Sequence, residues 1–126
     1  MDKRSAIAII QARMSSTRLP GKVLMPLAGK PVIGHIVERA RACKRVGKIV
    51  VATSQEKSDD PLAKYCTENE IEIYRGSLNH VLSRYVNILS LNSCKYCVRI
   101  TGDCPLISPL FIDAQIDALE KFNGDL

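Results

Sequence analysis

Short unbroken apolar runs alternate along this chain with longer segments whose apolar residues recur at helical spacing. The run from Ala6 to Ile10 is continuously apolar and rich in β-branched residues, which is typical of a parallel strand buried on both faces. Segments 48–53, 71–74 and 96–100 predict further strands, and the alternating Glu72 indicates that 71–74 lies nearer an edge of the sheet. The pattern therefore predicts four strands, of which the first is central.

The segments between the strands predict amphipathic helices. The first carries apolar residues at positions 33, 36, 37 and 40 and ends near Gly47. Asp60 before Pro61 indicates the cap of a second helix, Ser77 the cap of a third with an apolar stripe through residue 89, and 108–122 a fourth. Repeated strand and helix alternation predicts an α/β fold, a three-layer α/β/α sandwich with a mostly parallel sheet.

The composition suits a single globular domain. The sequence has 126 residues, of which 46% are hydrophobic and 25% charged, so neither a fibrous nor a disordered chain is indicated. No apolar run approaches the roughly 20 residues that span a bilayer, and the first residues lead directly into a strand. We therefore expect a cytoplasmic protein without a signal peptide or a membrane partner.

The net charge of +5 is unevenly distributed. Residues 1–48 contain eleven Lys and Arg against two acids, a charge of +9, whereas residues 49–126 contain seven against eleven, a charge of −4. A basic half suits a phosphorylated ligand or a nucleic acid. Because the first 48 residues contain no Phe, Tyr or Trp on which bases could stack, nucleic acid is the less favoured alternative.

The five cysteines do not indicate a disulfide framework, since their number is odd and no secretory signal is evident. Cys94 and Cys97 form a C-x-x-C pair, but neither a second pair nor His35 and His80 completes the spacing of a zinc site. We interpret Cys97 as a small apolar residue of a strand, in preference to a metal ligand or a redox centre.

Polar chemistry is concentrated in the loop that follows the first strand. Its cations and hydroxyl groups belong to Arg13, Arg18, Lys22, Ser15, Ser16 and Thr17. A loop at the carboxyl end of a parallel strand is a common ligand site, and this set of groups favours a polyphosphate over a solvated basic loop. The P-loop and dinucleotide patterns are both absent, since neither G-x-x-x-x-G-K-[ST] nor G-x-G occurs.

A carboxylate is expected at the same edge of the sheet. Asp103 lies in T-G-D-C-P at 101–105, directly after the fourth predicted strand, and parallel strands end at a common edge. An acid beside a triphosphate indicates Mg²⁺, which prefers one or two carboxylates together with phosphate oxygens. The alternative for Asp103 is a turn acid that accepts hydrogen bonds from backbone amides.

Four motifs in order resemble one protein family. They are QARMSSTRLPGKVL at 11–24, GKP at 29–31, YRGS with VLSRY at 74–85, and RITGDCPLI at 99–107. Together they resemble the cytidylyltransferases that make CMP-activated acidic sugars, the CMP-Kdo and CMP-acylneuraminate synthetases, and especially the spore-coat polysaccharide biosynthesis protein F subgroup. The resemblance implies a nucleotide-diphospho-sugar transferase (glycosyltransferase-A-like) fold, CTP and an acidic sugar as substrates, Mg²⁺ as cofactor, and release of pyrophosphate.

The same resemblance assigns roles by position in this sequence. Arg13 and Lys22 would hold the triphosphate during catalysis, Arg18 would be a third cation, and Asp103 would be the metal ligand. The other nucleotide contacts that it implies are Ala12, Met14, Ser15, Gly76, Ser77, Thr101 and Gly102. These roles are physically reasonable, because phosphoryl transfer is catalysed mainly by positioning and by charge neutralisation.

Two features depart from the family pattern. Asn79 and His80 stand where the subgroup often has an acid, so His80 is either a ligand contact or a solvated residue at the start of a helix. The family fold is also longer than 126 residues. We therefore interpret residues 1–126 as the N-terminal nucleotide-binding part of a truncated cytidylyltransferase-like domain, with the second metal carboxylate, the sugar pocket and any homodimer contacts beyond it.

Three functions remain open at this point. The first is a cytidylyltransferase for surface polysaccharide biosynthesis, the second a nucleotide-binding module without turnover, and the third a nucleic-acid-binding protein that uses the basic half.

Overall fold

A parallel sheet runs through the computed structural model of this protein, which describes residues 6–15, 21–76, 96–102 and 107–121. In chain order its elements are β1 (Ala6–Gln11), β2 (Pro26–Leu27), β3 (Lys30–Pro31), α1 (Val32–Arg41), β4 (Val46–Ser54), α2 (Asp60–Glu68), β5 (Glu72–Gly76), β6 (Tyr96–Thr101) and α3 (Pro109–Lys121). Two short 3₁₀ helices cover Lys22–Leu24 and Lys57–Asp59. None of the helices in these ranges has the length and apolar character needed to cross a membrane.

The described strands of the main sheet follow the order β5-β4-β1-β6, and every neighbouring pair is parallel. The prediction that the first strand is central is confirmed, and β5 lies at one end of this order, as its Glu72 indicated. Gln11 at the end of β1 is opposite both Ala52 of β4 and Thr101 of β6. The loops that leave β1, β4 and β6 therefore begin side by side.

Alternate side chains of β1 enter two apolar clusters, one on each face of the sheet. Ala8 and Ile10 join the cluster that contains the buried residues of α1, α2 and α3. Ile7 and Ile9 are fully buried in the second cluster, with Val50. Burial on both faces explains the unbroken apolar run, and it confirms the α/β class with a mostly parallel sheet and flanking helices. The helix predicted across 77–89 lies outside the described residues.

Element ends differ from the predictions by a few residues. The first helix ends at Arg41 and not near Gly47, because Val46 and Gly47 already belong to β4, where Val46 is opposite Ala6. The predicted last helix begins at Pro109 as expected, and Lys121 is its last described residue. The strand predicted over 48–53 extends over 46–54, since pairing with β1 begins at Val46 and pairing with β5 continues to Ser54.

The GKP motif forms part of a tight hairpin. Strands β2 and β3 are antiparallel, and Leu27 is opposite Lys30 across a two-residue turn. Both turn residues have a positive φ, 50° at Ala28 and 88° at Gly29, as such hairpin turns require. The hairpin leads directly into α1, and Lys30 forms an ion pair with Glu38 of that helix. The motif thus has a structural role in starting α1.

Helix α3 is held to the turn between α1 and β4 by one carboxylate. Asp113 accepts hydrogen bonds from the backbone N–H groups of Lys44 at 2.8 Å and Arg45 at 2.9 Å. The Arg45 side chain also pairs with Asp117 and Glu120 on the same helix. These contacts fix α3 beside α1 on one face of the sheet.

Candidate functional site

The carboxyl edge of the parallel sheet brings together residues from three separate motifs. Thr101 and Gly102 end β6 beside Ala12, the first residue after β1, because the Gly102 N–H donates to the Gln11 carbonyl at 2.8 Å. Gly76 ends β5, two strands from β1, at a separation of about 10 Å from strand spacing. That distance is comparable to the separation between the nucleoside and the outer phosphates of a nucleoside triphosphate.

The loop after β1 returns to its own starting point. The Gly21 N–H donates to the Met14 carbonyl at 2.8 Å, and Gly21 has a φ of 78°, a conformation that favours glycine. Arg13 and Lys22 directly flank the two residues that this hydrogen bond joins. Two cations that are nine residues apart in the sequence are therefore brought to the base of one closed loop.

The exposure of this loop suits a binding surface. Arg13 and Ser15 are exposed, Lys22 is half-buried, and the Met14 side chain between them packs against the apolar core. Lys22 begins a 3₁₀ helix whose next residue, Val23, is buried. Apolar residues on both sides therefore anchor the loop, while the Arg13 and Ser15 side chains stay exposed.

A buried carboxylate supports the loop from below. Asp59 is fully buried, and its Oδ1 accepts a hydrogen bond from the Met14 backbone N–H at 2.6 Å. Its Oδ2 accepts a hydrogen bond from the hydroxyl of Ser54, which is itself fully buried. The Ser54 hydroxyl in turn accepts from the Glu56 N–H at 3.2 Å. The loops that leave β1 and β4 are thus joined through one side chain.

Asp60 does not cap α2, so that prediction is wrong. The helix begins at Asp60, the cap residue is Asp59, and the Asp59 side chain binds Met14 and Ser54 in place of the helix amides. Asp60 instead pairs with Arg75 of β5 at 2.8 Å. Adjacent carboxylates therefore hold different loops of the same edge.

Arg75 completes this arrangement at the end of β5. Its Nε donates to the Ser54 carbonyl at 2.8 Å, and its Nη2 donates to the Glu56 carbonyl at 2.9 Å. The Gln55 N–H donates to the Gly76 carbonyl at 3.1 Å. The loop after β4 is consequently fixed against β5 as well as against the loop after β1.

Gly102 lies where no side chain fits. A Cβ atom on this residue would lie 2.7 Å from the Ala12 Cβ and 2.9 Å from the Gln11 carbonyl oxygen. Packing therefore requires glycine at position 102, because the end of β6 closely approaches the start of the loop. This requirement is separate from the nucleotide contact that the family resemblance implies.

The structure brings many of the candidate residues to one edge. Those described there are Ala12, Arg13, Met14, Ser15, Lys22, Gly76, Thr101 and Gly102. Arg18, Ser77 and Asp103, like His80, Cys94 and Cys104, lie outside the described residues. Within the described ranges, no three His, Cys, Asp or Glu side chains are grouped to hold a metal ion. The expectation that Asp103 binds Mg²⁺ stays a prediction.

Sequence reasoning missed Asp59, Ser54 and Arg75. A usable signal was present, because a loop that leaves a buried parallel strand belongs to the same edge as the loop after β1. Applied to the segment 54–60, this rule points to the hydroxyl and the acids it contains. Cys97, interpreted as a small apolar strand residue, does lie in β6 but is exposed.

Comparison with known proteins adds independent findings. A sequence profile for the family described as Cytidylyltransferase matches residues 7–125. The chain is 40% identical over 114 residues to the spore coat polysaccharide biosynthesis protein SpsF of Bacillus subtilis strain 168, a match covering 87% of this chain and 48% of that protein.

Two solved structures are also similar. A cytidylyltransferase from Leptospira borgpetersenii serovar Hardjo-bovis superposes with a TM-score of 0.89 and 35% identity, covering 95% of this chain and 50% of the other. A CMP:2-keto-3-deoxy-manno-octonic acid synthetase complexed with CTP superposes with a TM-score of 0.82 and 26% identity, covering 96% and 49%. This chain thus spans about half the length of the relatives it matches.

Proposed function

The chain belongs to the cytidylyltransferase family, and on that premise we propose that it carries the nucleotide-binding part of an enzyme that transfers CMP from CTP to an acidic sugar. In this reaction a sugar oxygen attacks the α-phosphorus of CTP, a new P–O bond forms, and pyrophosphate leaves. An acidic sugar is supported by the similarity to a CMP:2-keto-3-deoxy-manno-octonic acid synthetase. The similarity to SpsF supports a place in surface polysaccharide synthesis.

The observation that carries the proposal is the closed loop at the carboxyl edge. Arg13 and Lys22 flank the hydrogen bond between Gly21 and Met14, so two cations stand at the base of a loop rich in hydroxyl groups. We assign to them the neutralisation of triphosphate charge, and to Ser15 a supporting hydrogen bond. Thr101 and Gly102 would contact the nucleotide from the side of β6.

Gly76 and the neighbouring Ser77 are assigned to the nucleoside. The offset of β5 from β1, about 10 Å or two strand spacings, separates Gly76 from the loop after β1 by a distance that suits a nucleotide. The proposal includes Mg²⁺, which Asp103 would bind at the same edge of the sheet. The metal would supply charge neutralisation at the phosphates, and the cations of the loop would orient them.

The first test measures CTP binding by the full-length protein in the presence of MgCl₂. We expect Arg13→Ala and Lys22→Ala each to weaken CTP binding by about 10- to 100-fold, because each removes a charge-assisted hydrogen bond to phosphate. Lys64→Ala is the matched control, since it removes a cation that is 80% exposed on α2. Wild-type protein that does not bind CTP, or variants that bind as tightly as the control, would contradict the proposal.

Turnover separates an enzyme from a binding module. We expect pyrophosphate release from CTP when an acidic sugar is added, whereas CTP binding without release would favour the module. Binding to RNA that weakens with added salt and that CTP does not displace would instead favour the nucleic-acid-binding alternative.

A further inference from the structure

Asp59 is a charged group in a place where charge is costly. The residue is fully buried, and a carboxylate removed from water must recover its lost hydration through hydrogen bonds. Both of its oxygens have donors, the Met14 N–H on Oδ1 and the Ser54 hydroxyl on Oδ2. The two donors belong to different segments, the loop after β1 and the end of β4, and Asp59 lies 45 residues from Met14 in the chain.

The Met14 amide lies between two residues assigned to phosphate binding. Arg13 and Ser15 are exposed, whereas the N–H between them is directed at the buried carboxylate. A charged acceptor makes a stronger and more directional bond than a neutral one, so the orientation of this peptide unit is tightly fixed. The backbone that carries Arg13 and Ser15 is fixed with it.

The neighbouring residue Asp60 makes different contacts from Asp59. Its carboxylate pairs with Arg75 on the side of β5, and its side chain is 60% exposed. Removal of Asp60 therefore leaves the Met14 contact intact. The two acids look equivalent in the sequence, but only Asp59 contacts the loop after β1.

We propose that Asp59 is a positioning residue for the nucleotide, which holds the Met14 peptide so that Arg13 and Ser15 are pre-organised for the triphosphate. This inference rests on the proposed function. Asp59 has no contact with ligand in this role, because its oxygens are occupied by Met14 and Ser54. Its contribution is to reduce the ordering that the loop would otherwise undergo on binding.

The test combines local amide exchange with CTP affinity in the full-length protein. In Asp59→Ala we expect hydrogen exchange of the Met14 amide to accelerate at least 10-fold and CTP affinity to fall about 10-fold. Asp60→Ala should change neither. Cys66→Ala is the structural control, since it removes a buried group from α2, the helix that begins directly after Asp59.

Asp59→Asn keeps the shape of the side chain and an acceptor for Met14, but a neutral one. We expect intermediate exchange and intermediate affinity, and this variant decides the matter if Asp59→Ala does not fold. Met14 exchange or CTP affinity equal to that of Asp60→Ala in both variants would overturn the inference. A wild-type protein that does not bind CTP would instead refute the proposed function, while Met14 exchange would still report whether Asp59 holds the loop.

Discussion

At the scale of single residues, the contact between Gly102 and Ala12 sets how closely β6 approaches the loop after β1. The hypothetical Cβ of Gly102 meets the Ala12 Cβ at 2.7 Å and the Gln11 carbonyl oxygen at 2.9 Å. Neither neighbour is the flexible end of a side chain, since one is a methyl group on the backbone and the other is backbone itself. The site therefore tolerates only glycine without a shift of the main chain.

Gly102→Ala should lower the free energy of unfolding by about 1–3 kcal/mol, as overpacking of a rigid site does. Urea denaturation measures the change. Adding Ala12→Gly removes the Cβ–Cβ clash but leaves the carbonyl contact, so the double variant should recover only part of the loss. Wild-type stability in Gly102→Ala would show that β6 moves freely at its end.

Residues of the candidate site could be predicted from the sequence only where the chemistry of the side chain and its place after a strand both pointed to a ligand. Arg13 and Lys22 were found because cations after a buried strand suggest phosphate, and the edge they occupy followed from the parallel strands. Asp59 was not found, because its role depends on burial and on a partner 45 residues away. Asp59 and Asp60 stand before Pro61, a pattern typical of a helix cap. No local pattern shows which of the two carboxylates is buried.

At the scale of elements, the attachment of α3 to the turn before β4 depends on side chains that we expect to contribute unequally to stability. Asp113 accepts two backbone N–H groups at the end of the turn that enters β4. Asp117 contributes an ion pair to Arg45, but its side chain is 63% exposed. Loss of Asp113 removes the acceptor of two backbone N–H groups, whereas an exposed ion pair competes with water.

We therefore expect Asp113→Ala to reduce the free energy of unfolding by about 1–3 kcal/mol. The matched change Asp117→Ala should reduce it by at most about 1 kcal/mol. Chemical denaturation of both variants provides the comparison, and equal losses would contradict this account of how α3 is attached.

The elements themselves were predictable because each has a periodicity tied to burial. β1 is apolar from Ala6 to Ile10 since both of its faces are covered, and α1 has one apolar stripe since one face is covered. Element ends were less predictable: Gly47 continues a strand whose pairing with β1 is invisible in the local sequence. The two short strands of the hairpin were not among the four predicted strands, since Ala28 is an unusual residue for the positive φ that the turn requires.

At the scale of the whole molecule, two buried thiols make stability depend on pH. Burial raises the pKa of Cys66 from 9.0 to about 11. Burial also raises the pKa of Cys43 to about 11, and the nearby Asp113 carboxylate adds to that effect. The folded protein therefore keeps these protons at pH values where the unfolded chain has lost them. The contribution of these thiols to stability is therefore fully present well below pH 9 and declines as the pH rises from 9 towards 11.

The free energy of unfolding should fall more steeply between pH 9 and 11 in the wild-type protein than in Cys66→Ala. The difference in slope should approach one proton, about 1.4 kcal/mol per pH unit. Every other ionisable group is present in both proteins, so the difference isolates the thiol. Parallel curves would show that the Cys66 thiol ionises as readily in the folded protein as in the unfolded one.

The position of β1 also determines the order in which the protein can assemble during synthesis. Ala6 pairs with Val46 and with Tyr96, forty and ninety residues later in the chain. At roughly 5–20 residues per second, translation delivers the second partner about 5–18 s after β1 leaves the ribosome. Of the described strands in the main sheet, β1 is synthesised first, and β6, its second neighbour, is synthesised last. The strand order therefore leaves the apolar strand β1 exposed to chaperones and to other nascent chains until β6 has been synthesised.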